Sequence, residues 1–280
     1  MIHLGPWALV TLSFLTIRIF PSTFMPLFLI NIWGLSLPHT FSTFTRTDRR
    51  NSKNIIQATI AYICLFAIIS LWASKIGMVL IYSFYFFWQQ FHYSKQNYGI
   101  GRALKEDKNK SSWIDQLFYL MTTLTTLLAL FYGGTEQFFG YNLINFFKLS
   151  LSPLVAMTIN FLILTAYLCY RPKNYLMAIS HVLMFSSAYV FNSNFAEGWL
   201  YLNVFHNSQY LFFMKNHEKR ISFLLYSLAL TSAFFLLTNL SFVEGTLVNS
   251  FPMILICMLS LNFTHYLFDG MIWKKNVLGK

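Results

Sequence analysis

Apolar stretches of membrane-spanning length follow one another along almost the whole chain, and no other feature narrows its fold so far. A helix needs about 20 apolar residues to cross a bilayer. Such stretches lie near 24–45, 55–73, 76–97, 113–132, 150–170, 175–191, 198–214, 221–240 and 251–273. Only 10% of the residues are charged, against roughly 25% in a soluble domain. The predicted architecture is an all-α, polytopic transmembrane helix bundle of about nine spans. Residues 1–280 form one integral membrane domain with no repeat and no long linker. A soluble multidomain enzyme is excluded.

A further apolar segment at 4–20 is broken by Arg18 and Pro21. It fits an extra span, a re-entrant helix or an interfacial helix. A cleaved signal peptide does not fit, because no basic residue precedes the apolar part and no small-x-small site follows it. Cys64, Cys169 and Cys257 fall far apart inside apolar stretches, so they read as packing residues rather than a disulfide framework.

A net charge of +11 would suggest a nucleic-acid partner in a soluble chain. Here it reads as topology, because Lys and Arg gather in the cytoplasmic loops of membrane proteins. One set of loops carries Arg46, Arg49, Arg50 and Lys53, then Arg102, Lys105, Lys108 and Lys110, then Arg171 and Lys173. It continues with Lys215, Lys219 and Arg220, and ends with Lys274, Lys275 and Lys280. The intervening loops near 74–76, 133–140, 192–197 and 241–250 are almost free of basic residues, and the two sets alternate. The expected location is a bacterial inner membrane with the C-terminus cytoplasmic. Membrane lipids and an apolar small molecule are the expected partners; neither nucleic acid nor a protein partner is expected.

That topology assigns a depth to the histidines. His39 stands seven residues before Arg46, His92 ten before Arg102, and His206 and His265 nine before Lys215 and Lys274. At about 1.5 Å per helical residue, all four lie roughly 10–15 Å from the cytoplasmic flank. His181 reaches the same level from the opposite direction, eight residues after Lys173. Ionisable groups inside a span are costly and mark function by default. Imidazoles at one level on separate helices can converge as metal ligands in a bundle interior. A buried histidine taken singly is more often a hydrogen-bonded core residue. His3 and His217 lie in terminal or loop sequence and carry no assigned role.

The candidate ligands are therefore His39, His92, His206 and His265, with His181 and Asp269 as possible additions. Asp269 follows His265 by four residues, on the same helical face. It reads as a ligand, as a carboxylate orienting an imidazole, or as a cap near the interface. Gln89 and Gln96 flank His92, while Gln209 and Tyr210 follow His206. These side chains could hold the second ring nitrogen of a ligand histidine or simply bond helix to helix. Asp269 and Tyr210 are the candidate catalytic groups. Neutral imidazole suits Fe, Zn, Cu or Ni, so donor type alone does not choose the metal.

Leu37-Pro38-His39, Phe91-His92, Phe205-His206 and the block Thr264-His265-Tyr266-Leu267-Phe268-Asp269 resemble the histidine motifs of the Brp/Blh-type β-carotene-cleaving dioxygenases. That resemblance covers nearly the whole chain as spaced motifs. It implies a non-haem Fe(II) centre held by histidines, with O2 as co-substrate and a carotenoid, isoprenoid or other lipid as substrate. Three departures stand out. Thr43 occupies a position where the family carries Asp, Gln96 and Asn97 replace a second Asp, and Tyr210 stands where the family has another histidine.

HxxxH and HxxHH clusters of membrane di-iron enzymes are missing, as are P-loop, GxSxG and HExxH motifs. The expected function is a membrane-embedded, iron-dependent oxygenase. Paired histidines would also serve a b-type haem in an electron-transfer or sensor protein. A histidine relay in a transporter is the third reading, weakened by the lack of an internal duplication.

Overall fold

The structure is a computed structural model describing residues 4–46, 49–104, 113–132, 137–138, 141–144, 149–170, 175–190, 195–217 and 247–274. The helices are α1 Leu4–Ile19, α2 Phe24–Ile30, α3 Leu37–Arg46, α4 Arg49–Ala103 and α5 Trp113–Leu130. They continue with α6 Pro153–Cys169, α7 Tyr175–Val190, α8 Phe195–His217 and α9 Leu247–Lys274. A 3-10 turn at Pro21–Thr23 and a π-helix at Asn31–Ser36 flank α2. Strands β1 Gln137–Phe138 and β2 Tyr141–Asn142 form one small antiparallel ribbon, with Phe138 opposite Tyr141. Apart from that ribbon, the described secondary structure is helical.

Helices occupy the apolar stretches expected near 113–132, 150–170, 175–191, 198–214 and 251–273. The stretch at 221–240 lies outside the described residues. One expectation is overturned. The stretches 55–73 and 76–97 are a single helix of 55 residues with no turn near 74–76. The reason is local: Ala73-Ser74-Lys75-Ile76 contains neither proline nor glycine, so nothing stops the helix. At about 1.5 Å per residue α4 is roughly 80 Å long, more than twice a hydrocarbon core of about 30 Å. Among the described residues, two helical segments are long and apolar enough to cross a membrane, Pro21–Phe44 and Trp113–Leu130. The nine-span count is therefore not reproduced. Shorter apolar helices include Leu4–Ile19, Pro153–Cys169 and Tyr175–Ala188.

By its internal contacts the chain divides into two compact units interleaved in sequence. The first comprises Met1–Phe24 and Tyr82–Phe213. Segment 4–20, whose form the sequence left open, is here a helix lying along α8. Trp7 meets Phe205, Phe14 meets Tyr201, and Arg18 pairs with Glu197 at 3.6 Å, so the two helices run antiparallel. Gly5 permits the approach: a Cβ there would sit 2.6 Å from the Phe212 ring. Helix α6 starts sharply because the Ser152 hydroxyl accepts from the Val155 N–H and Pro153 opens the first turn. Asn160 then ties α6 to Thr126 of α5 at 3.3 Å and to Ser186 of α7 at 3.2 Å.

The second unit comprises Met25–Ile81 and Met214–Lys280. Here α9 packs on α3 and on the first half of α4. Phe263 touches both Tyr62 and Phe66, and the Thr59 hydroxyl donates to Thr264 Oγ1 at 3.1 Å.

Large apolar side chains are exposed on both units. Leu12, Ile19, Leu154 and Leu162 point outward, as do Ile56, Ile60 and Ile68. The interior is largely aromatic and aliphatic, and it also holds polar side chains such as His181, Gln96, Asn97, Asn203 and Thr122. Cys64 and Cys169 share the outward direction, so they do not pack the interior as expected.

Candidate metal centre

His39 owes its place to an irregular stretch of helix. Pro38 lacks an N–H, and its ring crowds the carbonyl four residues back, at Gly34. The preceding turn opens into the π pattern of Asn31–Ser36, closed by the Leu37 N–H donating to the Ile32 carbonyl. Such single π turns often accompany functional sites. Two hydrogen bonds then steady the helix around His39. The Ser42 hydroxyl donates to the His39 carbonyl at 2.6 Å, and the Thr40 hydroxyl donates to Asn262 Oδ1 at 3.1 Å. The second bond joins α3 to α9 one turn before His265.

His39 and His265 consequently meet edge to face, with ring centroids 4.5 Å apart and an interplanar angle of 79°. Their ligand nitrogens lie within 4.8 Å of one another. Asp269 is buried one helical turn beyond His265. Thr43, one turn after His39, is fully buried as well.

The first unit contains a second imidazole pair. Helices α4 and α8 run parallel: Phe86 meets Phe195 and Trp199, and further along His92 meets His206 at 5.0 Å. Tyr93 packs over His206 at 4.0 Å. The sequence reading missed Tyr93 as a partner of His206, although its place beside His92 was the available signal. His39 and His265, both buried and both in the second unit, each offer one ring nitrogen that could hold a metal ion.

Of the two roles left open for the glutamines, the structure shows the second, bonds from helix to helix. Gln89 accepts from the Trp199 indole at 2.6 Å and donates to the Tyr85 hydroxyl at 2.9 Å. Gln96 donates to the backbone carbonyl of His206 at 3.1 Å, which fixes α8 at that level. Gln209 directs its amide nitrogen at the Met177 sulfur, 3.4 Å away. Tyr210 is fully buried one turn after His206.

His181 stands apart from both pairs in its chemistry. Its Nδ1 is 2.8 Å from the Asn97 amide and its Nε2 is 2.9 Å from the Thr122 hydroxyl. Asn97 donates to Nδ1, the Nε2–H donates to Thr122, and Thr122 donates onward to the Phe118 carbonyl at 2.9 Å. Neither nitrogen is left for a metal. His3 and the side chain of His217 lie outside the described residues.

No family model, no curated protein and no solved structure matches this chain. The resemblance to the carotene-cleaving oxygenases therefore rests on its histidine motifs alone.

Proposed function

We propose that this protein is a membrane-embedded, non-haem iron oxygenase acting on a long apolar substrate, with His39 and His265 among its metal ligands. The observation that carries the reading is the 4.5 Å spacing of the His39 and His265 rings. A metal–nitrogen bond of about 2.1 Å puts an ion about 3.2 Å from the centre of each ligand ring, and two ligands about 90° apart then have ring centres about 4.5 Å apart. The His92–His206 spacing of 5.0 Å corresponds to a slightly wider angle.

The donor set fits the ion. Neutral imidazoles with one buried carboxylate, Asp269, suit Fe, as they do Zn, Cu and Ni. Iron is the choice the histidine motifs favour; bound there, it would supply O2 activation. The protein's own part is to orient the rings through Thr40, Asn262 and Gln96 and to keep the surroundings dry. Asp269 and Tyr210 are the groups we assign to proton handling.

Insertion in a membrane is supported by the many leucines and isoleucines that face outward. Apolar surface of that extent needs lipid rather than water. Against the haem reading, rings already in contact at 4.5 and 5.0 Å leave no room for a porphyrin between them.

Metal analysis and an optical spectrum of the purified protein test this. Iron close to one per chain without a Soret band supports the proposal, and a Soret band or no bound metal overturns it. Expression in a β-carotene-producing host tests the substrate: retinal formation with loss of colour supports a carotenoid, whereas unchanged colour removes that assignment and leaves the metal reading standing.

A further inference from the structure

The geometry points to a second site, in the α4–α8 pair of the first unit, that holds a neutral oxygen atom between the side-chain amides of Gln90 and Asn203. It is defined by register and by hydrogen-bonding capacity, and it stands whether or not the histidines hold iron.

Gln90 lies four residues after Phe86 and three before Tyr93, so all three share one stripe of α4. Both flanking residues touch α8, Phe86 at Phe195 and Trp199, and Tyr93 at His206. Gln90 must therefore face α8 between Trp199 and His206. Asn203 lies four residues after Trp199 and three before His206, on the α8 stripe that makes those contacts. Because the helices run parallel, the two amides stand at one level.

Both are sealed from outside, Gln90 at 0% and Asn203 at 1% exposure. Among the described residues, neither atom of the Gln90 amide and not the Asn203 nitrogen has a hydrogen-bond partner. The Asn203 oxygen is occupied by the Asn207 amide at 3.1 Å. Two donors and one acceptor thus point into one buried level. Leaving them unmet costs on the order of 1–3 kcal/mol for each group. Tyr85, by contrast, already has Gln89 as its partner one turn away.

What such a site takes follows from its chemistry. Two N–H donors and one carbonyl acceptor, all uncharged, suit an oxygen that can accept twice and donate once. A water molecule or the hydroxyl of an otherwise apolar molecule satisfies all three; a carbonyl oxygen satisfies the two donors. An ion does not suit, because the contacting amides bring no charge to offset its desolvation.

The test uses the full-length protein in lipid nanodiscs, with 1-dodecanol, 2-dodecanone and dodecane as probes. If the oxygen belongs to an apolar guest, the alcohol or the ketone raises the thermal midpoint, dodecane does not, and Gln90→Leu weakens the response at least tenfold. If it is water, no probe acts, yet Gln90→Leu and Asn203→Leu each lower the midpoint by about 3–8 °C. A density map of the wild-type protein decides independently of how well the variants fold. An oxygen atom within about 3.2 Å of both amides supports the site. A wild-type map without one overturns it, as do leucine variants that are no less stable and respond to no probe.

Discussion

His39 and His265, carried by helices from opposite ends of the chain, meet edge to face with ring centroids 4.5 Å apart. Their ring nitrogens lie within 4.8 Å of one another, close enough to share one metal ion. His39→Ala and His265→Ala should each lower bound metal more than tenfold while helicity is retained. Elemental analysis beside circular dichroism checks this; full occupancy in both variants would remove the shared-ion proposal.

Thr40 and Asn262 clamp α3 to α9 beside the His39–His265 pair. Thr40→Val should weaken metal binding roughly 10–100-fold, the usual effect of removing a group that orients ligands. Its stability cost should be small, about 0.6–1.7 kcal/mol, as for other hydrogen bonds between membrane helices. A chelator competition assay separates the two effects. A Thr40→Val protein with unchanged metal affinity would show that the clamp only fastens helices.

His181→Phe should behave in the opposite way. Bound metal stays at the wild-type level, because both nitrogens of His181 serve Asn97 and Thr122. Stability falls by about 1–3 kcal/mol as the Asn97 amide loses its acceptor inside the bundle. Thermal unfolding alongside metal analysis reads both, and loss of metal would return His181 to the ligand set.

Trp199→Phe removes the indole donor to Gln89 and leaves a buried carbonyl oxygen without its partner. A loss of about 1–3 kcal/mol is expected. Adding Gln89→Leu should recover part of it, since a leucine leaves no polar atom unmet. A double-mutant cycle in one detergent measures the recovery, and additive losses would contradict the pairing.

Residue counts from basic positions serve as a ruler for part of the candidate site. His39 and His265 stand seven and nine residues before Arg46 and Lys274, and the structure brings the two into contact. The ruler says nothing about side-chain direction. His181 shares the expected level, yet Thr122 and Asn97 claim its nitrogens, and both partners look like ordinary polar residues in the sequence. Gln89 sits one turn from His92 but bonds Trp199 of another helix, a choice made by tertiary packing. The boundary at 74–76 failed for a different reason. A gap between two apolar stretches reads as a loop, but Ser74 and Lys75 among helix formers do not end a helix.

The π turn before His39 acts as a dial. It fits one more residue into its loop than an α turn would, and so rotates everything that follows by about 100° relative to a regular helix. His39, Thr40 and Thr43 are buried on the side that this extra rotation selects. Removing one residue from Asn31–Ser36 would let the helix run regularly through this segment and swing the imidazole about a quarter-turn from His265. The sequence can lengthen or shorten here by a single residue only by changing which face of α3 looks inward. Substitutions are the milder route: Pro38 is the residue that keeps the dial where it is set.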